Sequence, residues 1–122
     1  MNDYHARREK ELAAKIPFSN GSWNLSYLYE YLVEVNYGTD NIALRFFGKH
    51  LASAELAGIL LKEFLLNEDH DGSESQLGAA VILRRMDRSA LRANRELVLL
   101  AQNNETAWKR PLSENECPDW LS

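Results

Sequence analysis

Cysteine is almost missing from this chain: Cys117 is the only one in 122 residues. An intrachain disulfide and a cysteine-built zinc cluster are therefore both excluded. Long apolar runs are missing too. No stretch approaches the roughly 18 uninterrupted apolar residues of a membrane span, and the N-terminus Met-Asn-Asp-Tyr-His-Ala-Arg-Arg-Glu-Lys carries charge where a signal peptide has its apolar core. These absences lead to the expectation of a cytoplasmic protein with no membrane partner. There is no basic excess either. Fourteen Lys and Arg face 18 Asp and Glu, for a formal net charge of −4, so direct nucleic-acid binding through phosphates is not expected. The acids are in turn too diluted by bases to imitate a duplex that carries a charge about every 1.7 Å.

Catalytic and ligand motifs are also lacking. His5, His50 and His70 stand in unrelated contexts, none four residues from another ligand in a metal-binding pattern. His70, within Glu68-Asp69-His70-Asp71, has neighbouring oxygens but not the spaced ligands and position-twelve glutamate of a calcium loop. A nucleophile elbow, a P-loop and a dinucleotide glycine pattern do not occur. The expectation is a protein that is not an enzyme and needs no metal and no cofactor.

What the sequence does contain is the composition of one folded domain, 1–122, with 45% hydrophobic and 26% charged residues. The run Trp-Asn-Leu-Ser-Tyr-Leu-Tyr-Glu-Tyr-Leu-Val-Glu-Val-Asn-Tyr, 23–37, places four of the five tyrosines at odd positions. This period of two, with aromatic and β-branched residues on one face, predicts a half-buried strand. A helix competes, because Leu25, Leu28, Tyr29, Leu32 and Val33 fit a 3.6-residue period. The alternation is the longer pattern, so the strand is preferred, with Ile42 to Phe47 as the next strand of an antiparallel meander and the tyrosine row as core packing or a stacking platform.

The remainder reads as helix. Residues 6–15 stop before Pro17, and Ser53 caps a helix to about Asn67. After an acidic surface loop at 68–75, Gln76 to Met86 and Ser89 to Asn103 form two more helices, with Ser89 as a cap. From 104 to 122 the expectation is an extended tail held by Trp108 and Trp120. The fold class is α+β: a small antiparallel meander with three to four helices packed mainly on one face. Two charged groups stand out as partner-binding candidates. One is the acidic set Glu68, Asp69, Asp71 and Glu74, suited to a basic partner. The other is Arg84, Arg88 and Arg92, joined by Arg85 and Arg95, which form a basic stripe only if one helix runs unbroken through Asp87.

Two motifs carry a family resemblance. Ser53-Ala54-Glu55-Leu56-Ala57-Gly58, running on to Phe64-Leu65-Leu66-Asn67, resembles the Ser-Ala-Asp-x-Ala-Gly helix of the plasmid-borne antirestriction family that includes ArdB and KlcA. Upstream, Phe18-Ser19-Asn20-Gly21-Ser22-Trp23 is similar to that family's Tyr-x-Gly-Gly-Tyr-Trp entry into an aromatic strand. Together they span about residues 10–67; the family's Ser-Asn-Gly-Gly turn after the tryptophan strand is absent. The resemblance implies a non-catalytic accessory protein of a mobile element that protects incoming DNA from type I restriction. The alternative is an immunity protein or antitoxin that neutralises a toxin, such as a nuclease, by direct binding. In either case the partner is a protein: a restriction-system component or a toxin.

Overall fold

The computed structural model describes residues 3–104; the tail expected beyond them, with Trp108, Cys117 and Trp120, lies outside the described residues. The fold is α+β. A helical body carries one small antiparallel sheet of two strands, β1 (Phe18–Ser19) and β2 (Ser22–Trp23). Asn20 and Gly21 make the turn between them with φ of 53° and 77°. Positive φ at both central residues is the type I′ geometry whose twist matches that of paired strands, and Asn-Gly is the pair that tolerates it best. Phe18 stands opposite Trp23, their rings 4.6 Å apart.

The expected meander does not form. Residues 25–35 and 42–48 are the helices α2 (Leu25–Val35) and α3 (Ile42–Gly48). In α2 the side chains of Leu28, Tyr31, Leu32, Glu34 and Val35 are buried, whereas Leu25 and Tyr29, and Tyr37 just past its end, all odd-numbered, are exposed. The reason lies in the even positions. A strand that buried the tyrosines would turn Leu28 and Leu32 to water, whereas a helix gathers Leu28, Tyr31, Leu32 and Val35 on one stripe. A helix also satisfies its backbone internally, where a strand of that length needs a partner of equal length. Asn24 starts α2 by accepting the Tyr27 N–H at 3.0 Å, and Asn41 starts α3 by accepting that of Leu44 at 3.0 Å.

Helix α1 (Asp3–Ala13) ends ahead of Pro17 as expected, burying Leu12, whose carbonyl accepts the Tyr31 hydroxyl. Helix α4 (Ala54–Ile59) begins at Ser53, whose hydroxyl takes the Leu56 N–H at 3.0 Å, and passes without a break into a π-helix (Leu60–Leu65). Its wider turn lays residues four and five apart along one stripe, so Leu60, Leu61, Phe64 and Leu65 are all buried. A 3₁₀ turn (Glu68–His70) leads to α5 (Glu74–Arg85), capped by Ser73. The expected loop at 68–75 is thus corrected. Its start is a helical turn, and Glu74 and the fully buried Ser75 open α5.

Helix α5 crosses α2 at Gly78. A Cβ placed there would lie 2.7 Å from the carbonyl carbon of Leu32, and the carbonyl oxygen is closer still. Only glycine lets the two backbones meet this closely. The single helix expected from Ser89 to Asn103 is two: α6 (Arg88–Arg92) and α7 (Arg95–Gln102). Met86 is extended, the Asp87 N–H bonds the Leu51 carbonyl at 2.9 Å, and Asp87, not Ser89, occupies the cap position. At the second break, the Asn94 amide donates to the carbonyls of Ala54 and Ala90, both at 2.9 Å. It packs so tightly on α4 that a Cβ on Gly58 would lie 2.8 Å from its Oδ1. Gly58 of the helix motif is therefore a seat for Asn94, the link between α6 and α7.

Candidate functional site

A hollow of mixed chemistry lies between the start of α2 and the end of the π-helix. It encloses about 330 Å³ and is lined by Leu25, Ser26 and Tyr29 from α2, Glu63 and Phe64 from the π-helix, and Asn67 and His70 from the turn after it. Its position follows from local structure. The π-helix delivers Phe64 to the core and Glu63, one residue earlier, to the rim. Asn67 then binds both flanks together, donating from Nδ2 to the Glu63 carbonyl at 3.2 Å and accepting the Asp69 N–H at 3.0 Å. The His70 ring sits between two others, 5.2 Å from Phe64 and 5.9 Å from Tyr29. Its Nδ1 lies 3.3 Å from the buried Ser75 hydroxyl. Tyr29 is 42% exposed and Leu25 44%, so the α2 wall is both apolar and open to solvent.

One buried amide holds the outer wall in place. Gln76, 1% exposed, accepts the Gly72 N–H at 2.9 Å and donates to the Leu65 carbonyl at 2.9 Å and to Asp71 Oδ1 at 3.2 Å. It occupies the backbone carbonyl left over where the π-helix stops and ties the turn to the body.

The four acids of the candidate docking set divide accordingly. Glu68 and Asp69 are exposed beside the hollow, and among the described residues neither their side chains nor that of Glu63 has a hydrogen-bond or ion-pair partner. Asp71 is bound to Gln76. Glu74 accepts the Tyr37 hydroxyl at 2.6 Å, a bond that raises the phenol above its ordinary pKa, and its carbonyl takes the Asn36 amide at 2.7 Å. Glu68 and Asp69 thus present charge, while Asp71 and Glu74 hold structure. Sequence reading missed Glu63 and Tyr29 as neighbours of this set, because only the helical register of 25–35 and the π-turn bring them to it.

The basic set is not one helical stripe. Arg84 and Arg85 end α5, Arg88 and Arg92 belong to α6, and Arg95 opens α7, with non-helical backbone at Met86–Asp87 and at Asn94. The four-residue spacing therefore places no common face.

Two further features lie on the far side. A hollow of about 540 Å³ between α1 and α3 has Ile16, Pro17, Tyr31, Ile42 and Phe46 for walls, with Arg45 and Lys49 beside them. Arg45 is already paired with Glu9 and Asp40, each at 3.1 Å. Next to it, His50 is boxed by Phe18, Trp23 and Phe46, with centroids 5.8, 5.3 and 4.7 Å away. Burial, and secondarily the charge of Lys49, push the imidazole below its ordinary pKa. On α2, burial would raise the Glu30 carboxyl. The hydrogen bonds and charges of Lys15, at 3.0 Å, and Arg8, at 3.3 Å, outweigh that and hold it below its usual range.

Among the described residues no helix is long and apolar enough to cross a membrane. Compared with models of known families, with curated proteins and with solved structures, the chain finds no match.

Proposed function

We propose that this chain is a non-catalytic, cytoplasmic inhibitor that acts by docking on another protein, in the manner of the antirestriction proteins its two motifs resemble. The observation that carries this reading is the hollow that sets Glu63, a carboxylate without a side-chain partner among the described residues, against the exposed apolar wall of Leu25 and Tyr29, with the likewise unpaired Glu68 and Asp69 on the turn between its lining residues Asn67 and His70. Uncompensated charge beside an apolar surface is what a protein-docking patch needs. The charge speeds and orients the encounter, and the aromatic residue supplies buried area once water leaves. Of the two motifs that carry the resemblance, residues 18–23 form the hairpin and lead into helix α2 instead of an aromatic strand, and the Ser53-capped helix leads directly into the π-helix that bears Glu63.

In the antirestriction reading the partner is a component of a type I restriction system. Plating efficiency of unmodified phage on a restricting strain tests it. A rise that depends on the restriction system and is lost on charge reversal of Glu68 and Asp69 supports the reading, and an unchanged efficiency removes it. The acidic character of the patch also favours a second reading, an immunity protein or antitoxin that covers the basic surface of a toxin. That function predicts a one-to-one complex with the toxin by light scattering, with a dissociation rate that rises in the same charge-reversed variant.

A further inference from the structure

Resting on the docking reading above, we infer that the hollow between α2 and the π-helix is a receptacle for a single arginine side chain of the partner protein. The argument starts from size. About 330 Å³ lies at the bottom of the range of roughly 300–1,000 Å³ found for small-molecule pockets, which suits one long side chain better than a nucleotide or a cofactor. It continues with charge. Glu63 is half-buried and without a side-chain partner among the described residues, and the two acids that follow the hollow in sequence, Glu68 and Asp69, are likewise unpaired. A half-buried carboxylate in that setting calls for a cation.

The walls then decide which cation. Tyr29 and His70 line the hollow as neighbouring rings 5.9 Å apart, and Tyr29 is 42% exposed. A planar guanidinium stacks on such a ring face and offers paired N–H donors to a carboxylate at the same time; an ammonium does the second without the first. Leu25 remains to cover the aliphatic part of the side chain. The rigid mounting of the site fits this role. Asn67 and Gln76 lock the turn that carries His70, and the π-helix fixes the azimuth of Glu63. Little ordering is left to be done when the arginine enters.

The test uses the whole protein, labelled with ¹⁵N and titrated with N-acetyl-L-arginine amide. The uncharged isostere N-acetyl-L-citrulline amide serves as control. The expected result is a saturable set of amide shifts confined to Leu25, Ser26, Tyr29, Glu63, Asn67 and His70, absent with citrulline. Affinity should weaken about tenfold in Glu63→Gln, the loss of one charged hydrogen-bonded contact. Tyr29→Leu, which keeps apolar bulk and removes the ring, should weaken it as well, and both variants are first checked for an unchanged melting temperature. Shifts that rise linearly, that spread over the acidic surface at large, or that are equal for citrulline overturn the inference. A chain that alleviates restriction or binds a toxin yet shows no saturable arginine shift keeps the docking reading and loses the receptacle. One that binds arginine in the hollow and inhibits nothing does the reverse.

Discussion

Replacing Gly78 by alanine should be among the most damaging small changes this chain can suffer. The added Cβ would lie 2.7 Å from the Leu32 carbonyl carbon and 3.2 Å from its Cα, against an ordinary carbon–carbon contact of about 3.5–4.0 Å. Since the obstacle is backbone, no side-chain rotation relieves it, and α5 must withdraw from α2 by about 1 Å. A gap of that size forfeits a quarter to a half of each contact it opens. The residues flanking the crossing, Leu28, Leu32, Ala79 and Ile82, are all buried in the central cluster. Overpacking costs about 1–3 kcal/mol and about 4 kcal/mol where, as here, the backbone itself must move, while alanine gives back about 1 kcal/mol as the better helix former, so the net loss is about 3 kcal/mol. At this chain length that lowers the melting temperature by about 12 °C. Gly48, the last residue of α3, meets nothing within 4 Å and provides the control. Gly48→Ala should leave the midpoint unchanged or raise it by a few degrees. Thermal unfolding followed by circular dichroism decides the matter. If Gly78→Ala melts within about 2 °C of the parent, or if the two variants behave alike, α2 and α5 do not cross at this glycine.

Leu60→Asp places an unpaired carboxylate at a fully buried position of the π-helix and should cost on the order of 4 kcal/mol; a denaturation midpoint equal to the parent's would show that this face is not in the core. Acidification should weaken the fold through His50. Its pKa is depressed when folded, so below its ordinary value near 6.5 the unfolded chain binds the extra proton more readily, and stability falls as pH drops from there towards the folded value. His50→Phe should flatten the melting temperature in that window, and an unaltered pH profile would count against the aromatic box. Glu30 acts lower down. Its depressed carboxyl contributes stability above the ordinary value near 4.5 that is lost as pH falls through the folded pKa, so Glu30→Gln should remove that part of the acid sensitivity seen in unfolding curves. Glu68→Lys with Asp69→Lys should move the melting temperature by no more than about 2 °C, as exposed substitutions do, while weakening binding to any basic partner; full inhibition by the double variant would take these two acids out of the interface.

Much of the fold could be read from local signals that depend on few residues. Ser53 before an apolar helix and Pro17 after a helix each act through short-range chemistry, and each is where the sequence put it. The run 23–37 misled because two periods coexist in it. The odd-numbered tyrosines are a genuine alternation, but Tyr29 and Tyr37 are exposed for reasons outside the core, and the α5 crossing that selects the helix lies some forty residues away at Gly78. The break near Met86–Asp87 was legible, with only its cap displaced from Ser89 to Asp87, whereas the break at Asn94 was non-local, since a partner that stabilises it is Ala54. For the candidate site, Glu68 and Asp69 were legible as exposed acids. Glu63 was not, because a π-turn carries no composition of its own.

That π-turn has a consequence for how the chain tolerates change. A helix acquires a wide turn when it holds one residue more than its two fixed ends leave room for, and here both ends are pinned, at Asn94 against α4 and at Gln76 against Leu65. Deleting the exposed Lys62 would let the segment close at the ordinary pitch, leaving the core leucines with neighbours while turning Glu63 away from Tyr29. Insertion and deletion along this one turn therefore act as a dial on the surface, able to present or withdraw a carboxylate without rebuilding the interior beneath it.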